Sequence, residues 1–196
     1  MTLTPPYRIR PLDGQAEHDA LGARITAWRR ERRLPSASIR PILDALRDER
    51  EMAVLVDTDN DAFVGCLQLH RAPLPTPPWT TAEDAQPTLV LSCAATAPGA
   101  GYRLGWLLTT WARHYAALCG HTRVACAVPL SSDHDTTAQR LLSHLVDGCG
   151  WDHLRTADTA TGTAALLTAA ACRTEGLDAF LATKVPVQPA ERETVS

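Results

Sequence analysis

The stretch TLVLSCAATAPGAGYRLGWLLTTWARHYAALCGHTRVACAVP, residues 88–129, decides how the chain is organised. It opens with an apolar strand over 88–96 and turns through Pro98, Gly99 and Gly101. It then enters an amphipathic helix that runs to about Leu118. Leu104, Leu107, Leu108, Trp111, Tyr115 and Leu118 recur at helical spacing and share one face. Gly120 closes the helix, since a residue without a Cβ takes positive φ there without a clash. Residues 122–128 read as a second strand. A strand that feeds a glycine turn at a helix N-terminus gathers orphan N–H groups at the positive end of the helix dipole. That arrangement suits a phosphate.

Three readings of this unit compete. In the first, the glycines only make the turn of a βαβ unit. The second is a dinucleotide fingerprint, Gly99-x-Gly101-x-x-x-Gly105, which belongs on the first strand of its domain with an acid ending the next strand. Here the next strand ends Ala127-Val128-Pro129 and a hairpin precedes the unit, so that reading is rejected. The third is a resemblance. Ala100-Gly101-Tyr102-Arg103-Leu104-Gly105 resembles the acyl-CoA pyrophosphate loop of the GCN5-related N-acetyltransferases (GNAT family), which follows the fourth strand as Arg/Gln-x-x-Gly-x-Gly/Ala. Ala100 replaces the usual Arg or Gln, and Arg103 replaces the first motif glycine, while Gly101 and Gly105 keep the small positions. The resemblance implies that backbone N–H groups hold the phosphates. Arg103 then either crowds the loop or swings outward as an added cation.

The rest of the chain fits around this unit. Residues 7–12 alternate and stop at Asp13-Gly14, which reads as a strand and turn. Helices follow over about 16–33, with Leu21, Ile25 and Trp28 inward, and about 39–50, with Ile39, Ile42, Leu43 and Leu46 inward. A hairpin is expected from strands 52–57 and 62–70. After the organising unit come a helix near 137–146, a strand from Gly150-Trp151 to about Thr156, and a last strand over 164–170. This β-α-α-β-β-β-α-β-α-β-β order is that of the acetyltransferase family. Local sequence adds Gly150-Trp151-Asp152-His153-Leu154-Arg155 and Thr161-Gly162-Thr163-Ala164. The expected fold is therefore α/β (α+β): a mixed central sheet of six to seven strands flanked by about four helices. A single domain over 1–176 is expected, then a tail over 177–196 whose last dozen residues are disordered.

Composition bounds the function. The chain has 196 residues, 45% hydrophobic and 21% charged, with a formal net charge of −3, so it carries no nucleic-acid footprint. The basic run Arg29-Arg30-Glu31-Arg32-Arg33 ends a helix, where cations suit the dipole, and reads as solvated. Six cysteines show neither a C-x-x-C nor a cluster with histidine, so no disulfide framework and no metal site is expected. There is no signal peptide and no membrane-length apolar run, which reads as a cytoplasmic protein without a membrane partner. A homodimer is common in the family, but no apolar strip establishes one here.

The resemblance implies an acetyl-CoA-dependent N-acetyltransferase acting on a primary amine, most simply of a small molecule. The rival reading is a catalytically silent protein of the same fold that binds acyl-CoA or a partner. The cofactor is expected on the backbone of Ala94, Ala95 and Thr96 and on Gly101, Tyr102, Arg103, Leu104, Gly105 and Trp106. Gln139 stands for the family's Asn, or Asp135 in another alignment. An alkyl amine with pKa ~10.4 is neutral only about once in two thousand molecules at pH 7, so a base or desolvation helps. The strand 88–96 carries no acid. His70 is the candidate base, with Glu83 or Asp84 orienting it or binding the amine. The family's acid Tyr is missing, and His144 is the candidate in its place. The proline-dense segment 71–87 is read either as a rigid connector, lacking regular structure, or as a lid with Trp79 as an acceptor wall.

Overall fold

The computed structural model describes residues 4–33, 39–47, 51–71, 78–99, 101–130, 136–159 and 162–189. The elements in order are β1 (Tyr7–Pro11), α1 (Gly14–Glu31), α2 (Arg40–Arg47), β2 (Met52–Asp57), β3 (Ala62–His70), α3 (Thr81–Asp84), β4 (Thr88–Thr96), α4 (Gly101–Leu118) and β5 (Arg123–Pro129). Then come α5 (Thr136–Ser143), a π-helical turn (His144–Gly148), β6 (Asp152–Thr159), β7 (Gly162–Ala170), a 3-10 turn (Leu177–Ala179) and β8 (Leu181–Thr183). The strands form one eight-stranded mixed sheet in the order β6-β7-β5-β4-β3-β2-β1-β8. Five α-helices accompany it among the described residues.

Two compact units are distinguished. The first holds Met1–Leu69, Ser92–Leu108 and Glu175–Pro186. Its core joins Leu21, Ile25 and Trp28 of α1 to Ile42, Ala45 and Leu46 of α2, and both to Met52, Val54, Val56 and Cys66 of the β2–β3 hairpin. The two helices pack closely at Gly22, where an added Cβ would just make contact with Leu43 Cδ2 at 3.4 Å. Arg10 of β1 fixes the start of α1 by donating two hydrogen bonds, at 2.7 and 2.6 Å, to the carboxylate of Glu17. Those bonds hold that carboxyl below its ordinary range.

The second unit holds His70–Leu91, Thr109–Thr174 and Val187–Ser196. Its strand ladder runs β6-β7-β5, all antiparallel. Trp111 and Tyr115 of α4 are fully buried and stacked with ring centroids 5.0 Å apart. Arg71 donates to the Tyr115 hydroxyl at 2.5 Å and lies over its ring. Burial pushes the Tyr115 phenol up to about 12, so at neutral pH it stays a neutral partner of that cation.

Two elements depart from the sequence reading. β8 makes an eighth strand, parallel to β1 with Tyr7 opposite Leu181, in what was expected to be a polar tail. Leu177, Leu181 and Val185 are buried, so the segment after Gly176 packs through Val185. The disorder expected at the C-terminus concerns residues that include 190–196, which lie outside the described residues. Secondly, the segment expected to lack regular structure contains α3, for which a capping box supplies the reason. None of the six cysteines forms a disulfide, and no helix among the described residues is long and apolar enough to cross a membrane.

Candidate functional site

β4 changes character halfway along, its residues to Leu91 belonging to the second unit and those from Ser92 to the first. Residues 88–91 are buried, and they pair in parallel with Arg123, Val124, Ala125 and Cys126 of β5. That register ends at Leu91, although β4 continues to Thr96, and from Ser92 onward its residues are half-buried or exposed. Just there Cys93 adopts φ 51°. A left-handed conformation costs a non-glycine residue ~1–2 kcal/mol, and such residues gather at functional sites because their surroundings must over-determine them. Here two sulfur contacts do so. Cys66 Sγ donates to the Cys93 carbonyl at 3.9 Å, and Cys93 Sγ donates to the Pro41 carbonyl at 3.6 Å. Burial pushes the Cys66 thiol up to about 12, which keeps it protonated and able to donate.

Ala94, Ala95 and Thr96 form the accessible end of this strand, Ala94 exposed and the other two half-buried. Their small side chains, on a stretch unpaired with β5, let an extended ligand amide approach and pair with backbone N–H and C=O groups. The chain then turns. Ala97 N–H donates to the Val64 carbonyl at 2.8 Å, Gly99 takes φ 79°, and α4 starts at Gly101. Ala100, and the side chain of Tyr102, lie outside what is described. Leu104 is buried and anchors the helix, so only its backbone can serve a ligand, while Arg103 and Trp106 (46% exposed) face outward. No acid stands in the first turn of α4, which leaves the positive dipole end for an anion.

Beside the kink lies a buried polar pair that the sequence reading missed. Ser92 Oγ donates to Gln68 Oε1 at 2.8 Å, and Gln68 is only 2% exposed. A carboxamide is costly to bury unless it is hydrogen-bonded, yet this one sits in β3 among Cys66, Leu67 and Leu69, all buried. The available signal was that lone polar residue in an apolar strand. The Ser92 partner is 24 residues away and is brought alongside only by the β3–β4 neighbour relation.

The remaining expected residues belong to the second unit. Trp79 is 4% exposed and packs with Val90, Ala125, Leu166 and Ala157, so its side chain belongs to the core. The lid reading otherwise concerns residues 72–77, which lie outside the described residues. Glu83 is also occupied. Thr80 N–H donates to Glu83 Oε2 at 2.7 Å and Glu83 N–H donates to Thr80 Oγ1 at 3.3 Å, closing the capping box of α3. Arg155 of β6 binds both carboxylate oxygens, and its Nη2 also donates to the Pro78 carbonyl at 3.0 Å. Arg123 donates to the Glu83 carbonyl. Glu83 thus fastens α3 to β5 and β6 and is not on offer to an amine. Asp84 is the last residue of α3.

The bonds from Arg155 lower the Glu83 carboxyl from 4.5 to about 2, against an opposing cost of burial. A depressed carboxyl contributes stability that is complete above its unfolded value and fades as pH falls through the folded one. Glu83→Gln is therefore expected to lower the unfolding free energy by about 2 kcal/mol at pH 7. Urea melts at a series of pH values should show the gap to wild type closing from pH 4.5 towards 2. A gap independent of pH would show that the ion pair is not its source.

His144 lies on the π-helical turn, half-buried, with Nε2 3.5 Å from Cys149 Sγ. Burial lowers its pKa, so the ring is neutral at pH 7 and is a poor proton reservoir for a general acid. Gln139 is exposed on α5, and His70 ends β3 half-buried. Asp135 lies outside the described residues.

No family model matches the sequence, and no curated protein matches it. Solved structures do resemble the fold. AAC(6′)-Ib, solved with paromomycin and acetyl-CoA, has a TM-score of 0.58 at 16% identity, covering 84% of this chain and 93% of that one. A GCN5-related N-acetyltransferase from Brucella melitensis has a TM-score of 0.55 at 14% identity, covering 87% and 78%. The ribosomal-protein-S5-alanine acetyltransferase from Vibrio fischeri has a TM-score of 0.53 at 8% identity, covering 85% and 93%. At these identities the likeness concerns the fold, and the fold is that of the GCN5-related N-acetyltransferases.

Proposed function

From a fold shared with the GCN5-related N-acetyltransferases, we propose that this chain is an acetyl-CoA-dependent N-acetyltransferase acting on the primary amine of a small molecule. The observation that carries the reading is β4 itself. Its pairing with β5 ends at Leu91, it kinks at Cys93, and its small, accessible end runs through a glycine turn into the N-terminus of α4. A strand able to pair with an amide-bearing arm, followed within a few residues by a cluster of helix N–H groups, matches the layout of coenzyme A, whose amide arm leads to a diphosphate. Structures of the same fold have been solved with coenzyme A and with acetyl-CoA.

In this reading the backbone of Ala94, Ala95 and Thr96 receives the arm, and the N–H groups of the first turns of α4, from Gly101 to Trp106, receive the phosphates. Acetyl-CoA supplies the activated acyl group. Half-buried Ser92 and buried Gln68, hydrogen-bonded to each other, act by fixing the backbone of β4 at the kink beside the thioester. His70 ends β3, half-buried. It is the proposed proton acceptor. A thiol leaving group with pKa near ~8.5 can depart without a strong acid, so a neutral His144 is tolerable. A cytoplasmic setting belongs to the same proposal.

The test is release of coenzyme A thiol from acetyl-CoA with a panel of polyamines, aminoglycosides and amino acids. Turnover of at least one small amine is expected. Gln68→Leu should lower kcat roughly 10–100-fold, the scale of a misplaced reactant, while leaving acetyl-CoA affinity unchanged. A second reading, an acyl-CoA-binding protein without transferase activity, is favoured by two features: Glu83 is committed to Arg155, and burial disfavours the charged form of His144. Acetyl-CoA binding with no thiol release from any amine would establish that reading instead.

A further inference from the structure

The basic end of α1 has a role that its reading as a solvated terminus leaves out. α1 closes with Arg29 and Arg30 in its last turn and Arg32 at its C-cap, and Arg33 beyond takes φ 55°. From this end Arg32 Nη2 reaches across 65 residues of sequence and donates to the Ala97 carbonyl at 2.8 Å. Ala97 joins β4 to the turn that enters α4, and its N–H is already held by Val64. A guanidinium has five N–H donors. One of those of Arg32 is used here, and no acid partners the others among the described residues.

Arg29 lies behind it, half-buried, with Nε shielded from solvent and unpartnered. Burial, and then the charge of Arg32, push the Arg29 pKa down. Two cations are thus packed together beside the turn without a bonded carboxylate, and Arg103 adds an exposed third on the first turn of α4. Arg32 is exposed and keeps donors for an incoming anion, whose charge would also offset that of the half-buried Arg29.

We propose that Arg32, backed by Arg29, binds the diphosphate of coenzyme A and supplies the cation that the β4–α4 turn itself lacks where Ala100 stands for Arg or Gln. This rests on the acetyl-CoA reading above. Arg32 both pins the turn through Ala97 and presents its remaining fork of donors, a geometry suited to bidentate phosphate contact.

The test is calorimetric titration of wild type, Arg32→Gln and Arg32→Lys with acetyl-CoA and with 3′-dephospho-CoA, together with an NMR titration using S-acetylpantetheine, which has no diphosphate. Arg32→Gln is expected to weaken acetyl-CoA and 3′-dephospho-CoA alike, roughly 10–100-fold, the scale of a hydrogen bond to a charged group. S-acetylpantetheine should bind all three proteins equally, and Arg32→Lys should recover part of the loss. Wild-type affinity in Arg32→Gln overturns this assignment and leaves the acetyl-CoA reading standing. So does a loss shared by S-acetylpantetheine, which marks a distorted turn, or a loss absent with 3′-dephospho-CoA, which marks a contact to the 3′-phosphate. Failure of the wild type to bind acetyl-CoA overturns both proposals.

Discussion

Trp79→Ala is expected to lower the unfolding free energy by about 3–5 kcal/mol, the range for removing a large aromatic side chain from a packed core. Trp79 is 4% exposed and fills the space between Val90 of β4, Ala125 of β5 and Leu166 of β7, with Ala157 of β6 at its edge. Three of these neighbours are small or β-branched, and all lie on strands held in register by their ladders. The surroundings therefore cannot collapse far into the vacated volume, which places the cost towards the upper end of the range. Chemical denaturation monitored by far-UV circular dichroism measures it. The result separates two roles for this tryptophan. A core residue loses stability on truncation, whereas an acceptor wall would raise KM for the amine and leave the denaturation midpoint in place.

Gly101→Glu is expected to reduce acetyl-CoA affinity at least a hundredfold while leaving stability nearly unchanged. Gly101 is the first residue of α4, and no acid stands in that turn. The helix end itself tolerates a carboxylate, because a negative side chain in the first turn complements the dipole. The same carboxylate competes for the N–H groups proposed to hold the diphosphate and repels its charge. A simple fold defect would instead lower stability and affinity together. Parallel thermal melts and titrations distinguish the two, and unchanged affinity would remove the α4 N-terminus from the binding site.

Much of the architecture was legible because it is written locally. The apolar face from Leu104 to Leu118, the glycines around Pro98 and the strands on either side each carry their own periodicity, and the order of elements follows from them. The features that escaped notice depend on distant partners or were masked by a louder local signal. β8 has three residues and exists because β1 offers it an edge. The pattern Thr80-x-x-Glu83 is a readable capping box, but proline density nearby argued against any helix. Glu83 reads as a spare carboxylate until Arg155, 72 residues later, is brought to it, and Trp79 reads as a candidate acceptor wall until residues of four strands pack around it. At the site, the glycine turn and the small residues of β4 were visible in order along the chain. The Ser92–Gln68 pair, the left-handed Cys93 and the reach of Arg32 to Ala97 require the sheet to be assembled first.

The central claim is that β4 and the N-terminus of α4 form a dock for coenzyme A. Isothermal titration of the full-length protein with acetyl-CoA tests it most directly. The account predicts saturable one-to-one binding in the micromolar range, weakened by added salt because the phosphates carry much of the interaction. Absence of saturable binding at millimolar acetyl-CoA, from protein shown to be folded, would contradict it.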